Sequence, residues 1–172
     1  GFEESYGYLS GTYARDKDAV VAAMLITEMA ADYKAKGMTL YDGLMHLYEK
    51  YGYYMEFTKP LTFAGIDGSE KIKNIMKKFR TNPPKEFGGI KVTRMWDVKS
   101  GERTDFETGK VEKLNLPSSD VFRYDLEGDS WFAVRPSGTE PKIKFYFGVC
   151  DNSYAKAKKK LDDCMAEMSK FI

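Results

Sequence analysis

The chain is poor in cysteine and histidine, has no long apolar run, and carries no excess of either charge. Its two cysteines, Cys150 and Cys164, make neither a Cys-x-x-Cys pair nor a disulfide framework, which excludes a stapled secreted scaffold and suits a reducing cytosol. His46 is the single histidine, and no Cys or acid cluster completes a metal set around it, so it is assigned no role. Asp162 and Asp163 come nearest to a carboxylate pair, but neighbours on a helix project to different sides. No apolar stretch approaches the ~18 residues of a spanning helix. Lys plus Arg total 27 against 26 acids, which leaves no basic surplus for a nucleic-acid or membrane surface. No signal peptide is visible, and a chain opening at Gly1 is expected to lack its natural start.

What is present is enough sequence, 172 residues, for a real core in one domain or two small ones. Residues 18 to 36 read as a helix, apolar almost all round from Ala19 to Ile26, with Asp16 as N-cap and Gly37 as stop. An all-round apolar helix must be buried between layers, and the strands to cover it are not in the sequence, so the chain is expected to open inside a domain. Thr39 to Asp42 has the form of a capping box, followed by Leu40, Leu44, Leu47, Tyr48 and Tyr51 at helical spacing up to Gly52. Residues 53 to 63, with Pro60 among them, read as an extended connection or edge strand. Residues 59 to 68 are a candidate hinge.

Ile72, Ile75, Met76 and Phe79 then mark an amphipathic helix closed by Pro83 and Pro84. Ile90, Val92, Trp96 and Val98 alternate with Lys91, Thr93 and Asp97, which predicts a half-buried strand with the tryptophan inward. Residues 106 to 116 read as an irregular crossing. Residues 121 to 126 and 131 to 134 form a hairpin around Gly128-Asp129, and Ile143, Phe145, Phe147 and Val149 make another strand. A final helix starts near Asn152 and Ser153, its apolar face holding Ala157, Leu161, Cys164 and Met168. Helix, strands, helix in this order predicts an α+β domain, an antiparallel sheet with both helices on one face.

Between the last two strands lies Arg135-Pro136-Ser137-Gly138-Thr139-Glu140-Pro141-Lys142. Arg135 offers a planar fork of donors matching phosphate oxygens. Ser137 and Thr139 add hydroxyls, Gly138 lets backbone N–H groups approach an anion, and the two prolines stiffen the shoulders. These residues describe a phosphate cradle. A plain hairpin turn with a solvated arginine explains them equally.

Arg135 to Lys144, followed by an aromatic strand, resembles the phosphate-binding loop in the last domain of the α-D-phosphohexomutases. Gly1-Phe2-Glu3-Glu4-Ser5-Tyr6-Gly7-Tyr8-Leu9 is similar to the sugar-binding loop of that family's third domain, and Arg15-Asp16-Lys17-Asp18 to the basic segment after it. The Glu-Glu-Ser-Tyr-Gly wording points to the phosphoglucomutase branch.

The resemblance implies residues 1–58 as the incomplete end of the sugar-binding α/β third domain. Residues 59–172 would be the phosphate-binding last domain, similar to the TATA-binding protein in fold. It implies Arg135, Ser137, Gly138 and Thr139 on phosphate, and Glu3 and Ser5 on the sugar with Glu4 in support. Lys17 is a further phosphate or sugar contact, or else a solvated charge near a helix end. The implied enzyme is a cytoplasmic intramolecular phosphotransferase. It interconverts glucose 1-phosphate and glucose 6-phosphate through glucose 1,6-bisphosphate, with a phosphoserine and a Mg2+ loop that this chain lacks. The rest of the same polypeptide is then the partner, and the isolated piece is expected to be inactive. The competing classes are a phosphate- or nucleic-acid-binding module, using Trp131, Phe132, Phe145 and Tyr146 to stack bases, and a degenerate relative used as a scaffold.

Overall fold

The structure, a computed structural model, describes residues 1–3, 6–63, 65, 67–138 and 140–172. It forms two compact units, Gly1–Tyr51 and Gly52–Ile172.

In the first unit, helix α1 (Ala19–Ala35) is capped by Asp18 rather than Asp16. Asp18 has extended dihedrals, so it is the last residue before the helix, and its Oδ1 accepts from Val20 N–H and Val21 N–H at 2.9 and 3.1 Å. Gly37 ends α1 at φ +71°; its N–H donates to Lys34 O, and that of Met38 to Tyr33 O, the paired bonds of a left-handed helix stop. Helix α2 (Leu40–Tyr51) opens with the expected reciprocal cap: Thr39 N–H to Asp42 Oδ2 at 2.7 Å, and Asp42 N–H to Thr39 Oγ1 at 3.2 Å. Gly43 of α2 meets the Tyr33 ring so closely that a Cβ there would lie 2.4 Å from it.

The expected burial of α1 is not met within this unit. None of its residues is buried, and Val20, Met24 and Ile26 are 82, 58 and 53% exposed. Among the described residues the unit offers no strand to cover them, only the isolated Phe2–Tyr8 bridge.

The second unit is an antiparallel sheet backed by two helices. Its strands are β1 (Tyr53–Thr62), β2 (Glu86–Phe87), β3 (Ile90–Asp97), β4 (Glu102–Asp105), β5 (Val111–Lys113), β6 (Phe122–Leu126), β7 (Ser130–Pro136) and β8 (Lys142–Asp151). They run in the order β1-β8-β7-β6-β3-β4-β5, with β2 off that path and paired to β3. Helices α3 (Gly68–Thr81) and α4 (Tyr154–Met168) bring Ile72, Ile75, Met76, Phe79, Leu161 and Cys164 into one core with the inward residues of the sheet. Burial alternates along the first part of β8: Ile143, Phe145 and Phe147 are buried, as is Val149, while Lys144 and Tyr146 face away from the helices. Each fully buried phenylalanine or aliphatic side chain of this layer contributes about 1.5–3 kcal/mol. The Tyr124 hydroxyl, sunk in the same layer, donates to Phe79 O at 3.0 Å.

Four expectations change. Residues 53 to 62 are an edge strand paired along its whole length with β8, so a boundary at 58 would cut β1, and the units divide at Tyr51/Gly52. Lys59 and Pro60 are therefore locked in the sheet rather than hinged, and Phe63 N–H continues the pairing by donating to Pro141 O at 2.9 Å. The crossing at 106 to 116 contains β5, held to β4 by pairs that include Arg103↔Glu112. A register shift between Val92 and Arg94 inverts the second half of β3, so Asp97 is buried and Trp96 faces outward. Buried Asp97 is matched by Arg80 at the end of α3, whose Nε donates to its Oδ2 at 3.0 Å. Among the described residues no helix is long and apolar enough to cross a membrane.

Candidate functional site

The loop after β7 is held at both ends by the sheet. Ser137 N–H donates to Lys142 O at 2.7 Å, closing the strand ends on each other. Glu140 N–H donates to the Ser137 hydroxyl at 3.3 Å, a turn made by the serine itself. Edge strand β1 fixes the far shoulder through Thr62↔Lys142 and the Phe63–Pro141 bond. The result is a cleft of about 440 Å³ lined by Arg135, Ser137, Gly138, Lys142, Lys144 and Tyr146, with Glu140 also on its wall.

Two features of this cleft concern charge and space. Register places Arg135 directly across from Lys144 on the outer face of the sheet. Like charges opposite one another repel, and among the described residues neither cation, nor Lys142, has a carboxylate partner. Gly138 has no left-handed φ to explain it, and a Cβ on it would meet nothing within 4 Å. The missing side chain thus leaves the cleft open. The cleft holds three cations and one carboxylate, a surplus that matches a phosphate dianion. Lys142, Lys144 and Tyr146 are the additions to the residues singled out from sequence. The signal for the last two was their alternation opposite Phe145 and Phe147, but only the pairing register shows that Arg135 shares their face.

The N-terminal loop forms a separate site in the first unit. The Phe2–Tyr8 bridge and the bond from Glu3 N–H to Gly7 O at 2.8 Å fold residues 1 to 9 back on themselves. Glu3, Arg15, Asp16 and Lys17 come together around a depression of about 200 Å³. Lys17 Nζ lies 2.8 Å from Asp16 Oδ1 and 3.5 Å from Glu3 Oε1. The hydrogen bond that the Lys17 ammonium donates to Asp16 holds its pKa above the ordinary value, and the same bond keeps the Asp16 carboxyl below its own. Lys17 is therefore tied to two carboxylates, Asp16 and Glu3, while its side chain stays half exposed. Gly7 makes this approach possible, since a Cβ there would sit 2.2 Å from Lys17 Cδ. Glu4, Ser5 and Thr139 lie outside the described residues.

Comparison with known proteins bears directly on this arrangement. The profile described as phosphoglucomutase/phosphomannomutase, C-terminal domain, matches residues 70–167, and that of the same family's alpha/beta/alpha domain III matches residues 1–51. The chain belongs to the phosphoglucomutase/phosphomannomutase family. A phosphoglucomutase of Staphylococcus aureus (strain bovine RF122 / ET3-1) is 42% identical over 152 residues, covering 88% of this chain and 27% of that protein. One from Staphylococcus epidermidis (strain ATCC 12228 / FDA PCI 1200) is 37% identical over 166 residues, covering 96% and 30%. The chain thus spans under a third of the length of these phosphoglucomutases. The exocytosis-sensitive phosphoprotein parafusin of Paramecium, in its open form, shares the fold at TM-score 0.60 and 19% identity, over 97% of this chain and 28% of that one. The C-terminal-domain match falls within the second unit, and the domain III match covers the first, where α1 lies; a helix of an α/β/α layer expects a sheet against it.

Proposed function

We propose that this chain is the substrate-holding C-terminal part of a phosphoglucomutase. In that reading Arg135, Ser137, Gly138 and Thr139, with Lys144 opposite, grip the phosphate of a hexose phosphate that is not reacting. Glu3 and Ser5 orient the sugar hydroxyls. Phosphate moves between C1 and C6 at groups supplied by the remaining domains, through glucose 1,6-bisphosphate. Binding energy gathered at the remote phosphate then positions the reacting oxygen, so it acts on turnover as well as affinity. The observation that carries this is the Arg135–Lys144 pair, two cations held face to face in one cleft, neither of them ion-paired among the described residues.

No residue of this chain is assigned to phosphoryl transfer or to magnesium. Among the described residues no group of three or more His, Cys, Asp or Glu side chains is placed to hold a metal ion. The 172-residue chain alone is expected to be inactive, and conversion of glucose 1-phosphate by the purified chain would overturn that. Free Cys150 and Cys164 support a reducing, cytoplasmic setting.

The test is Arg135→Ala in the full-length enzyme. KM for glucose 1-phosphate rises and turnover falls, while the melting temperature holds. Wild-type kinetics in that variant refute the reading. Nucleic acid bound more tightly than sugar phosphate, with a steep loss of affinity in salt, would instead favour a binding module.

A further inference from the structure

On the outer face of the sheet the pairing register sets out two rows. One runs Pro60, Lys144, Arg135; the next runs Thr58, Tyr146, Ala133, Arg123. Tyr146 therefore stands one row from the two cations, on the same face, and lines the same cleft. Its cross-strand neighbours are small: a methyl on one side and a threonine on the other, so neither covers the ring.

The fold makes no use of its hydroxyl. Core packing is done by Phe145 and Phe147 on the opposite face. Among the described residues Tyr146 has no hydrogen bond, ion pair or ring contact. Tyr124, by contrast, spends its hydroxyl on Phe79 O. A half-buried phenol with an idle donor, fixed in a strand paired on both sides, needs no ordering to meet a ligand.

We propose that Tyr146 is a further positioning residue of this site: its hydroxyl donates to an oxygen of the phosphate monoester lying on Arg135 and Lys144. This rests on the reading of the cleft as a phosphate site. A donor on a rigid strand limits rotation of the phosphate about its ester bond, which two cations on flexible stems do not. Its effect falls on how the sugar phosphate is held, ahead of any chemical step.

The test uses the full-length enzyme and three variants. Tyr146→Phe raises KM for glucose 1-phosphate about tenfold, the loss expected for one hydrogen bond to a charged group, and weakens competitive inhibition by inorganic phosphate in parallel. The melting temperature is unchanged. Tyr146→Leu, which removes the ring as well, matches Tyr146→Phe when the hydroxyl is what counts. Arg135→Ala distinguishes the phosphate site from the role of Tyr146 within it. If it raises KM while Tyr146→Phe behaves as wild type, the phosphate site stands and the role of Tyr146 falls. If Arg135→Ala also leaves KM unchanged, the phosphate reading itself fails and this inference with it.

Discussion

Arg135 and Lys144 sit directly opposite each other in β7 and β8, two positive charges in register on one open face. Such a pair costs stability in the empty protein and repels less once an anion lies between the charges. Lys144→Met should therefore act in opposite directions on fold and function. The unliganded melting temperature rises by about 2 °C at low salt, from relief of a few tenths of a kcal/mol. KM for glucose 1-phosphate rises about tenfold, and the stabilisation given by added sugar phosphate shrinks. Lys144→Arg keeps the charge and should restore both. A lower melting temperature in Lys144→Met, with unchanged ligand response, would contradict the assignment.

Gly7 gives a test confined to the N-terminal loop. A methyl group there would collide with the Lys17 stem, 2.2 Å from Cδ and 2.6 Å from Cγ. Gly7→Ala should push Lys17 away and release the Glu3 carboxylate from its 3.5 Å contact. The expected cost is roughly three- to tenfold in KM for the sugar phosphate, one misplaced hydrogen bond. Inhibition by inorganic phosphate, which needs only the other loop, should not change. Equal weakening of both would mean that Glu3 does not face the sugar ring.

What could be read from the sequence was what local chemistry decides. Helix α3 followed from Ile72, Ile75, Met76 and Phe79, since a 3.6-residue period needs no knowledge of the partner surface. The loop between β7 and β8 was legible because each of its residues has a use at an anion. What stayed hidden depends on pairing. Residues 53 to 63 read as an extended connection or an edge strand, and only the free edge that β8 offers decides for the strand Tyr53–Thr62, with the expected boundary at 58 falling inside it. The shift between Val92 and Arg94 reverses which of Trp96 and Asp97 is inside, and a bulge leaves little trace in composition. Strands β4 and β5 are short and charged, joined by the Arg103–Glu112 pair rather than by apolar alternation. The site shows the same division: Arg135 stood out alone, whereas its alignment with Lys144 and Tyr146 required register.

Cys164 supplies a prediction about pH. It lies on the inner face of α4 against the Gly88 backbone, its Sγ 3.9 Å from Phe87 O. Burial, reinforced by Asp163 and Glu167, pushes its thiol up to about 11 from an ordinary value of 9.0. A folded pKa above the unfolded one means that, between these values, the unfolded chain gives up a proton the folded chain keeps. Stability then falls as pH rises from about 9 to about 11, by at most about 3 kcal/mol, and nothing is lost below that window. Cys164→Ala leaves a small cavity and is less stable at neutral pH, but it loses this dependence. Urea unfolding of both proteins from pH 7.5 to pH 10.5 isolates the thiol, since the other titrating groups are common to the pair. The gap between them should narrow as pH climbs. A constant gap would mean that Cys164 is more open to water than its packing against Gly88 indicates, and an alkylating reagent should then label it in the folded protein at pH 8.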